Sequence, residues 1–427
     1  MRFLVIGAGV SGRAAARLAR SLGFGAVVYD RSAEATAPLR DAGFPVHTGA
    51  WTKRHLLRMN GVIVSPGVPE HAQPVIDVRR AGIPLLSELE FAARHLAVPY
   101  AAVTGTNGKT TVATAAAAML EAGGIRAIAA GNVGTALSDV VGAPWDIIVV
   151  EASSFQLRFI EQFHPTAAAI MNIAPDHLDW HGSMSSYAAA KARIFENMGP
   201  GDLLAYDADD ARVAEVVVTA GATTVPFSGR RRPPGGNGPE GDHLIVGERR
   251  FPLPGFDAAY TADLVASATL AMAMGGSEEG VTSVLETFVP GAHRREIVGV
   301  WNGVTWVNDS KATNPHAAVA AAVAYPSVVL IAGGQNKGLD LAPLTAVDSV
   351  RRVIAYGEAA PEIAAAAGDV VVVESLAEAV SSADAIAEPG DVVLLAPGCA
   401  SFDQFDSYAQ RGEVFARLVR HRKEDAA

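Results

Sequence analysis

Cysteine is nearly missing from this chain of 427 residues: the single thiol, Cys399, can form no internal disulfide, so burial rather than cross-linking has to hold the fold, as in proteins of a reducing compartment. Lysine is scarce too. Of 34 basic residues only six are lysines, at 53, 109, 191, 311, 337 and 423, and with arginine filling routine surface positions each lysine calls for a reason. Basic charge is in deficit overall. A net charge of -11 argues against a general nucleic-acid or membrane-surface binder, since either needs an excess of basic side chains facing phosphate. Long uninterrupted apolar runs are also lacking. The nearest, AAVAAAVAYPSVVLIAGG, contains Pro326 and divides into a helix, a turn and a buried strand. The opening MRFLVIGAGV is a short run broken by glycine and does not have the form of a signal peptide. The expectation is a cytoplasmic monomer that binds small molecules, with no membrane insertion and no nucleic-acid partner.

What is present is ordinary core material, 50% hydrophobic residues with 19% charged, at a length that suits two to four domains. Over residues 1–92, β-like runs (FLVIGAG, GAVVYD, GVIVSPG) alternate with helix-like ones (GRAAARLARSLG, QPVIDVRRAG), which is the grammar of a parallel sheet with helices on both faces. Gly7, Gly9 and Gly12 form GxGxxG after the first strand, and Asp30 closes the second. That spacing lets a pyrophosphate approach a helix N-terminus while the acid takes a ribose hydroxyl. A dehydrogenase uses such a turn for NAD, and a tight strand-to-helix turn needs the same glycines.

A second domain is expected over 93–290. YAAVTGTNGKTT supplies a strand, a glycine loop and a helix start. The usual phosphate loop, Gly-x4-Gly-Lys-Thr, would place glycine at 103, where this chain has Val103. Backbone amides of Gly105, Thr106, Asn107 and Gly108, with Lys109, Thr110 and Thr111, can nonetheless hold a triphosphate, and the Thr110 hydroxyl can ligate Mg²⁺. DIIVVEASS reads as a buried strand ending at Glu151, where a carboxylate could hold the same ion; a surface acid at a strand end is the plainer alternative. His177 and His181 are four apart in DHLDWH and would share a helix face, though a lone histidine is more often structural than a ligand. The run GRRRPPGGNGPEG over 229–241 reads as a mobile hairpin loop. A third α/β unit is expected over 291–427. The fold class is therefore α/β in three domains: a Rossmann-like N-terminal domain, a P-loop ATPase-type central domain with a parallel sheet, and a Rossmann-like C-terminal domain.

TGTNGKTT, GNVG, EASSFQL, NIAPDHLDWHG, YAAAKARIFEN, HRREIV, NDSKATN and SFDQF, in that order, resemble the Mur ligases, and the likeness runs along almost the whole chain. It explains the displaced glycine as this family's form of the loop. The N-terminal domain together with DSKATN and SFDQF is most similar to members that join D-glutamate to UDP-N-acetylmuramoyl-L-alanine through an acyl phosphate, with ATP. Other amide ligases of the family, and folylpolyglutamate synthases, share the ATPase core and stay open as alternatives; a nucleotide-sensing regulator is the rival from another class.

The resemblance implies two Mg²⁺ ions, one served by Thr110 and Glu151 and the other by His177 and Lys191. It implies ATP contacts from Arg294 and Asp309, and places Asp263 where the family has an Asn beside adenine, although a carboxylate offers no amide donor. The GxGxxG turn would cradle uridine diphosphate, with Ser11, Asp30, Arg31, Ser65 and Gly67 as neighbours, and Asn132 and Gln156 near the muramoyl group. Lys311, Thr313, Lys337, Ser401 and Tyr408 would line the D-glutamate pocket; a turn lysine is the plainer reading of Lys337. Lys191 falls on an apolar stripe with Tyr187, Ile194, Phe195 and Met198 in a helix opened by Ser185 or Ser186. From pattern alone its ammonium snorkels to solvent. From the resemblance it is carbamylated, becoming an oxygen-bearing anion fit for Mg²⁺.

Overall fold

The computed structural model describes residues 1–253, 255–366 and 369–424. Its first sheet is built from β1 (Arg2–Ile6), β2 (Gly25–Asp30), β3 (Val46–Thr48), β4 (Gly61–Val64) and β5 (Leu85–Ser87), all parallel in the order β3-β2-β1-β4-β5. The strands are short and continuously apolar because helices cover both faces, leaving no side to alternate toward water. Leu4 and Ile6 point into one core and Phe3 and Val5 into the other.

The second sheet comprises β6 (Tyr100–Thr104), β7 (Ala127–Gly131), β8 (Ile147–Glu151), β9 (Ala167–Ile170), β10 (Leu203–Asp207) and β11 (Thr223–Phe227), again all parallel, in the order β11-β10-β9-β6-β8-β7. Beside it stands a small antiparallel sheet of β12 (Gly238–Glu240), β13 (His243–Val246) and β14 (Arg249–Pro252). The basic run expected as a mobile loop leads into this sheet. Arg232 donates to the carbonyls of Gly236 and Gly247, both at 3.0 Å, and β12 itself takes up the end of the run.

These two sheets belong to one compact unit, Met1–Ile173 with Gly182–Phe288. One apolar cluster runs through both, from Phe3 and Phe91 to Phe163 and Tyr187. Ion pairs Arg17–Asp139 at 2.7 Å and Arg158–Glu70 at 2.5 Å join the same two regions.

The second unit is Val289–Ala427 together with Ala174–His181, a segment that by sequence follows β9. Its sheet holds β15 (Glu296–Trp301), β16 (Val304–Asn308), β17 (Val328–Gly333), β18 (Val350–Tyr356), β19 (Val370–Val373) and β20 (Val392–Gly398) in the order β15-β16-β20-β17-β18-β19. Only the edge strand β15 runs antiparallel. Alternate residues of β17 feed opposite cores, Leu330 one and Val329 and Ile331 the other, so this sheet too is buried on both faces. No helix among the described residues is long and apolar enough to cross a membrane.

Candidate active site

The turn after β1 is closed by its own neighbours. Gly7 N–H donates to the Tyr29 carbonyl at 2.8 Å, Ala8 N–H to Asp30 Oδ2 at 2.8 Å, and the Ser65 hydroxyl to the Gly7 carbonyl at 3.2 Å. Asp30 therefore shapes the turn as well as ending β2. A Cβ on Gly12 would lie 1.8 Å from the Gly7 carbonyl oxygen, so any side chain there would push helix Val10–Ser21 off the strand. Ser11 is in the first turn of that helix, Arg31 is exposed just past β2, and Gly67 lies inside the turn that Val68 N–H closes on the Ser65 carbonyl. The expected sugar-nucleotide residues thus gather around one turn.

The phosphate loop leaves the end of β6. Val103 is fully buried and paired with Glu151 in the strand ladder, so position 103 needs no glycine; the chain turns only at Gly105. Helix Lys109–Ala122 begins from Gly108, whose φ of 85° is left-handed. A Cβ at Gly108 would stand 2.2 Å from Asp263 Oδ1, which puts the Asp263 carboxylate, on helix Ala258–Ala273, against the loop. Lys109 curls over the loop and donates to the carbonyls of Gly105 and Thr106, both at 2.8 Å. The Thr110 hydroxyl donates to Glu151 Oε2 at 2.8 Å, and Asn132 Nδ2 to Glu151 Oε1 at 2.8 Å. Glu151 is buried and joins the phosphate loop to the loop that follows β7. Thr111 is buried one residue further along.

Two supports of this loop were not singled out from the sequence. Asn172 accepts from Thr106 N–H through its carbonyl at 2.7 Å and from Asn107 N–H through Oδ1 at 2.8 Å, and the Tyr187 hydroxyl is 3.2 Å from Thr106 Oγ1. Tyr187 opens the stripe that Lys191 shares. That stripe is buried throughout, but its helix is Met184–Ala192, capped by Ser183, not by Ser185 or Ser186. Lys191 is 1% exposed and donates to the Gly105 carbonyl at 2.6 Å, with its ammonium 4.5 Å from the Tyr187 ring centre. It does not snorkel to solvent; it faces the phosphate loop. Gln156 accepts from Ser153 through Oε1, while its Nε2 is buried without a hydrogen-bond partner among the described residues. At the end of β10, burial pushes the Asp207 carboxyl up to about 7, with Asp209, Asp210 and Asp263 adding to the rise.

His177 is placed with the second unit. It has a left-handed φ of 54° and precedes the short helix Leu178–His181, so the two histidines do not form the shared helix face expected of them. Its N–H donates to Asp176 Oδ1 at 2.9 Å. Asp176 also receives Lys337 Nζ at 2.5 Å and Asn314 Nδ2 at 3.1 Å. Burial alone would raise the Asp176 carboxyl, but Lys337, His177 and Asn314 together hold it below the usual carboxylate range. Lys337 is thus the half-buried ion-pair partner of a buried carboxylate and not a surface turn residue.

In the same unit Lys311 Nζ lies 3.8 Å from the Tyr408 ring centre, a cation–π contact. Thr313 N–H donates to the Lys311 carbonyl at 2.8 Å, Asp309 Oδ1 accepts from Arg295 N–H at 3.3 Å, and Arg294 N–H donates to the Gly291 carbonyl at 3.2 Å. Ser401 is buried after the paired backbones of Gln335 and Ala400. Arg411, fully buried on helix Tyr408–Glu424, donates to Ser310 Oγ and to the carbonyls of Ser310, Cys399 and Ala400. It fastens the loop of Lys311 to the loop of Ser401. An arginine inside a helical pattern carried no signal of this. The neighbouring Cys399 thiol is pushed up to about 12 by burial and is unreactive at neutral pH.

Among the described residues no three His, Cys, Asp or Glu side chains cluster as a metal cage. Thr110 and Glu151 do offer hard oxygen donors side by side, which suits magnesium sharing its shell with phosphate and water.

Comparison with known proteins agrees with this geometry. Three family models match in order: a Mur ligase MurD-like N-terminal domain over 1–87, a Mur ligase middle domain over 103–232, and a Mur ligase glutamate ligase domain over 293–399. A UDP-N-acetylmuramoylalanine--D-glutamate ligase of Frankia casuarinae is 43% identical, covering 98% of this chain and 94% of its own length. One from Thermobifida fusca is 39% identical over 98% of each chain. Among solved structures, UDP-N-acetylmuramate-alanine ligase from Thermotoga maritima aligns over 100% of both chains with TM-score 0.60 at 18% identity. A bifunctional folylpolyglutamate synthase/dihydrofolate synthase from Yersinia pestis, crystallised with AMPPNP and Mn, aligns with TM-score 0.58 at 20% identity over 82% of this chain and 95% of its own. On the matched domains and the full-length identity, the chain belongs to the Mur ligase family.

Proposed function

We propose that the chain is an ATP-dependent amide ligase that adds D-glutamate to the alanyl carboxylate of UDP-N-acetylmuramoyl-L-alanine, a step of peptidoglycan precursor synthesis. The observation that carries this reading is the path Thr110–Glu151–Asn132, which ties the phosphate loop to the loop after β7 through one buried carboxylate. Full-length identity to ligases of that name supports the choice of substrates. A carboxylate oxygen of the sugar nucleotide attacks the γ-phosphorus, the bond to ADP breaks, and an acyl phosphate forms. The D-glutamate amine then attacks the acyl carbon, loses a proton and expels phosphate.

Two anions must meet in the first step, so the site needs neutralising groups that are poor nucleophiles. Lys109 and the loop amides fill that role. The turn of Ser11, Asp30, Arg31, Ser65 and Gly67 holds the uridine diphosphate; Asn132 and the spare amide of Gln156 take the muramoyl group. Asp263, Arg294 and Asp309 contact ATP. Lys311, Thr313, Lys337, Ser401 and Tyr408 receive the D-glutamate carboxylates, for which ammonium and hydroxyl donors are suited.

Thr110 and Glu151 would hold one magnesium ion, whose charge offsets that of the transferring phosphoryl group. A second would take His177 and a carbamylated Lys191. As an ammonium Lys191 is only a donor, and addition of CO₂ to the neutral amine, with loss of a proton, gives it oxygens. Its burial beside the phosphate loop supports that reading. The same proposal has the enzyme act as a cytoplasmic monomer.

The test is product identity. With ATP, magnesium and the sugar nucleotide, mass spectrometry should show one glutamyl addition with D-glutamate and none with L-alanine, L-lysine or diaminopimelate. Addition of another amino acid, or glutamylation of a folate in its place, would assign the chain to a different amide ligase.

A further inference from the structure

Glu88 is a carboxyl group that the reaction above does not use. It opens helix Glu88–Ala93, after the capping Ser87, and is fully buried at the junction of the first two sheets. Its Oε1 accepts from Ser138 N–H at 2.7 Å. Its Oε2 and the Ser138 hydroxyl are both buried, and neither has a geometrically sound hydrogen bond among the described residues. A buried carboxylate with half its acceptors unfilled is costly. A carboxylic acid is not: with a proton on Oε2 it can donate to Ser138 Oγ, and both orphan atoms are satisfied at once.

Among the described residues no salt bridge reaches the group, and the one charge that shifts it is the Asp139 carboxylate. Its helix packs against helices Val10–Ser21, Leu137–Val140 and Ser154–Leu157 and strands β4 and β5. The charged residues on these are Arg13, Arg17, Arg20 and Asp139, with Glu90 on its own helix. Arg17 is taken by Asp139, at 2.7 and 3.0 Å, and Glu90 by Arg94 at 2.6 Å; Arg20 donates to the Ala42 carbonyl. Burial pushes the Glu88 carboxyl up to about 7, and Asp139 contributes in the same direction against the opposing pull of Ser138.

Ser138 lies just past the loop that carries Asn132. That loop is pinned at its start, Gly131 N–H to the Thr135 carbonyl at 2.8 Å and Asn132 N–H to the Glu151 carbonyl at 2.8 Å, and Glu88 pins the helix at its end. We infer that Glu88 is a positioning residue for the sugar nucleotide: as a neutral acid it clasps Ser138 and sets the loop that presents Asn132, so binding this substrate draws a proton onto Glu88. The inference rests on the proposed role of Asn132.

Calorimetric titration of the full chain with UDP-N-acetylmuramoyl-L-alanine at pH 7.5, in HEPES and in Tris, tests it. The expected result is net proton uptake in the wild type, seen as a buffer-dependent heat, with affinity falling up to tenfold per pH unit above pH 7. In Glu88→Gln, which keeps a donor toward Ser138 but cannot titrate, uptake should vanish and the affinity should stay flat from pH 6 to 9. Binding of the wild type with equal heats in the two buffers overturns the inference and leaves the proposed function standing, whether or not the variant folds; so does unchanged uptake in Glu88→Gln. No binding in either buffer overturns the substrate reading and the inference with it.

Discussion

Lys191 shows how little room the fold leaves for a residue to be merely decorative. Its ammonium is 1% exposed, bonded to the Gly105 carbonyl and stacked over Tyr187, a costly position for a cation that does nothing. Lys191→Arg keeps the charge but cannot form a carbamate. Ligase activity should drop by roughly a hundredfold or more, with circular dichroism unchanged and a melting temperature within a few degrees of wild type; near-native turnover would remove the carbamate from the account. Gly12 makes a steric argument of the same sharpness. Its missing Cβ would meet the Gly7 carbonyl at 1.8 Å, so Gly12→Ala should destabilise the chain by about 1–3 kcal/mol in denaturant titration and weaken the sugar nucleotide more than ATP. Glu88 adds a pH signature. A carboxyl at about 7 in the folded chain, against 4.5 as the ordinary value, binds more protons folded than unfolded. Its contribution to stability is therefore complete below pH 4.5 and is lost as pH rises to 7, by about 3 kcal/mol. The stability of wild type relative to Glu88→Gln, from urea midpoints, should fall across that window and level off above it.

At the scale of elements, the helix Tyr408–Glu424 joins the loops of Lys311 and Ser401 through Arg411, whose partners among the described residues are neutral oxygens. Arg411→Ala would leave buried carbonyls without donors, and should cost about 1–3 kcal/mol for each one left unsatisfied and raise the D-glutamate KM more than that of ATP; equal change in both would argue for a purely structural role. Strand and loop order were legible in the sequence because the parallel strands are continuous apolar runs and the phosphate loop is bounded by one of them. What stayed hidden depended on contacts distant in sequence or on a choice among equals. Ser183 wins the cap over Ser185 and Ser186 because its hydroxyl oxygen accepts from the N–H of Ser186 in the first turn of the helix. Asp176 finds Lys337 161 positions away, which removes the segment 174–181 from the unit its sequence neighbours build. The basic run at 229–241 looked like loose loop because proline and glycine dominate it, yet Arg232 supplies the bonds that fix it.

For the whole molecule, the grouping of residues follows the chemistry. One unit holds the glycine turn after β1, the phosphate loop, Glu151 and Lys191; the other holds Asp309, Lys311, Lys337, Ser401 and Tyr408. An enzyme that moves a phosphoryl group to a carboxylate and then replaces it with an amine has to keep water from taking either step, so ATP should be consumed only when both acceptors are supplied. Chelation of magnesium by EDTA should stop phosphate release and be reversed by added Mg²⁺. The measurement closest to the central claim is continuous phosphate release with ATP, magnesium, UDP-N-acetylmuramoyl-L-alanine and D-glutamate, each omitted in turn. The account predicts release that falls to background when any one is left out and matches amide formation one for one when all are present; rapid release with ATP and magnesium alone, or consumption of NADH in its place, would contradict it.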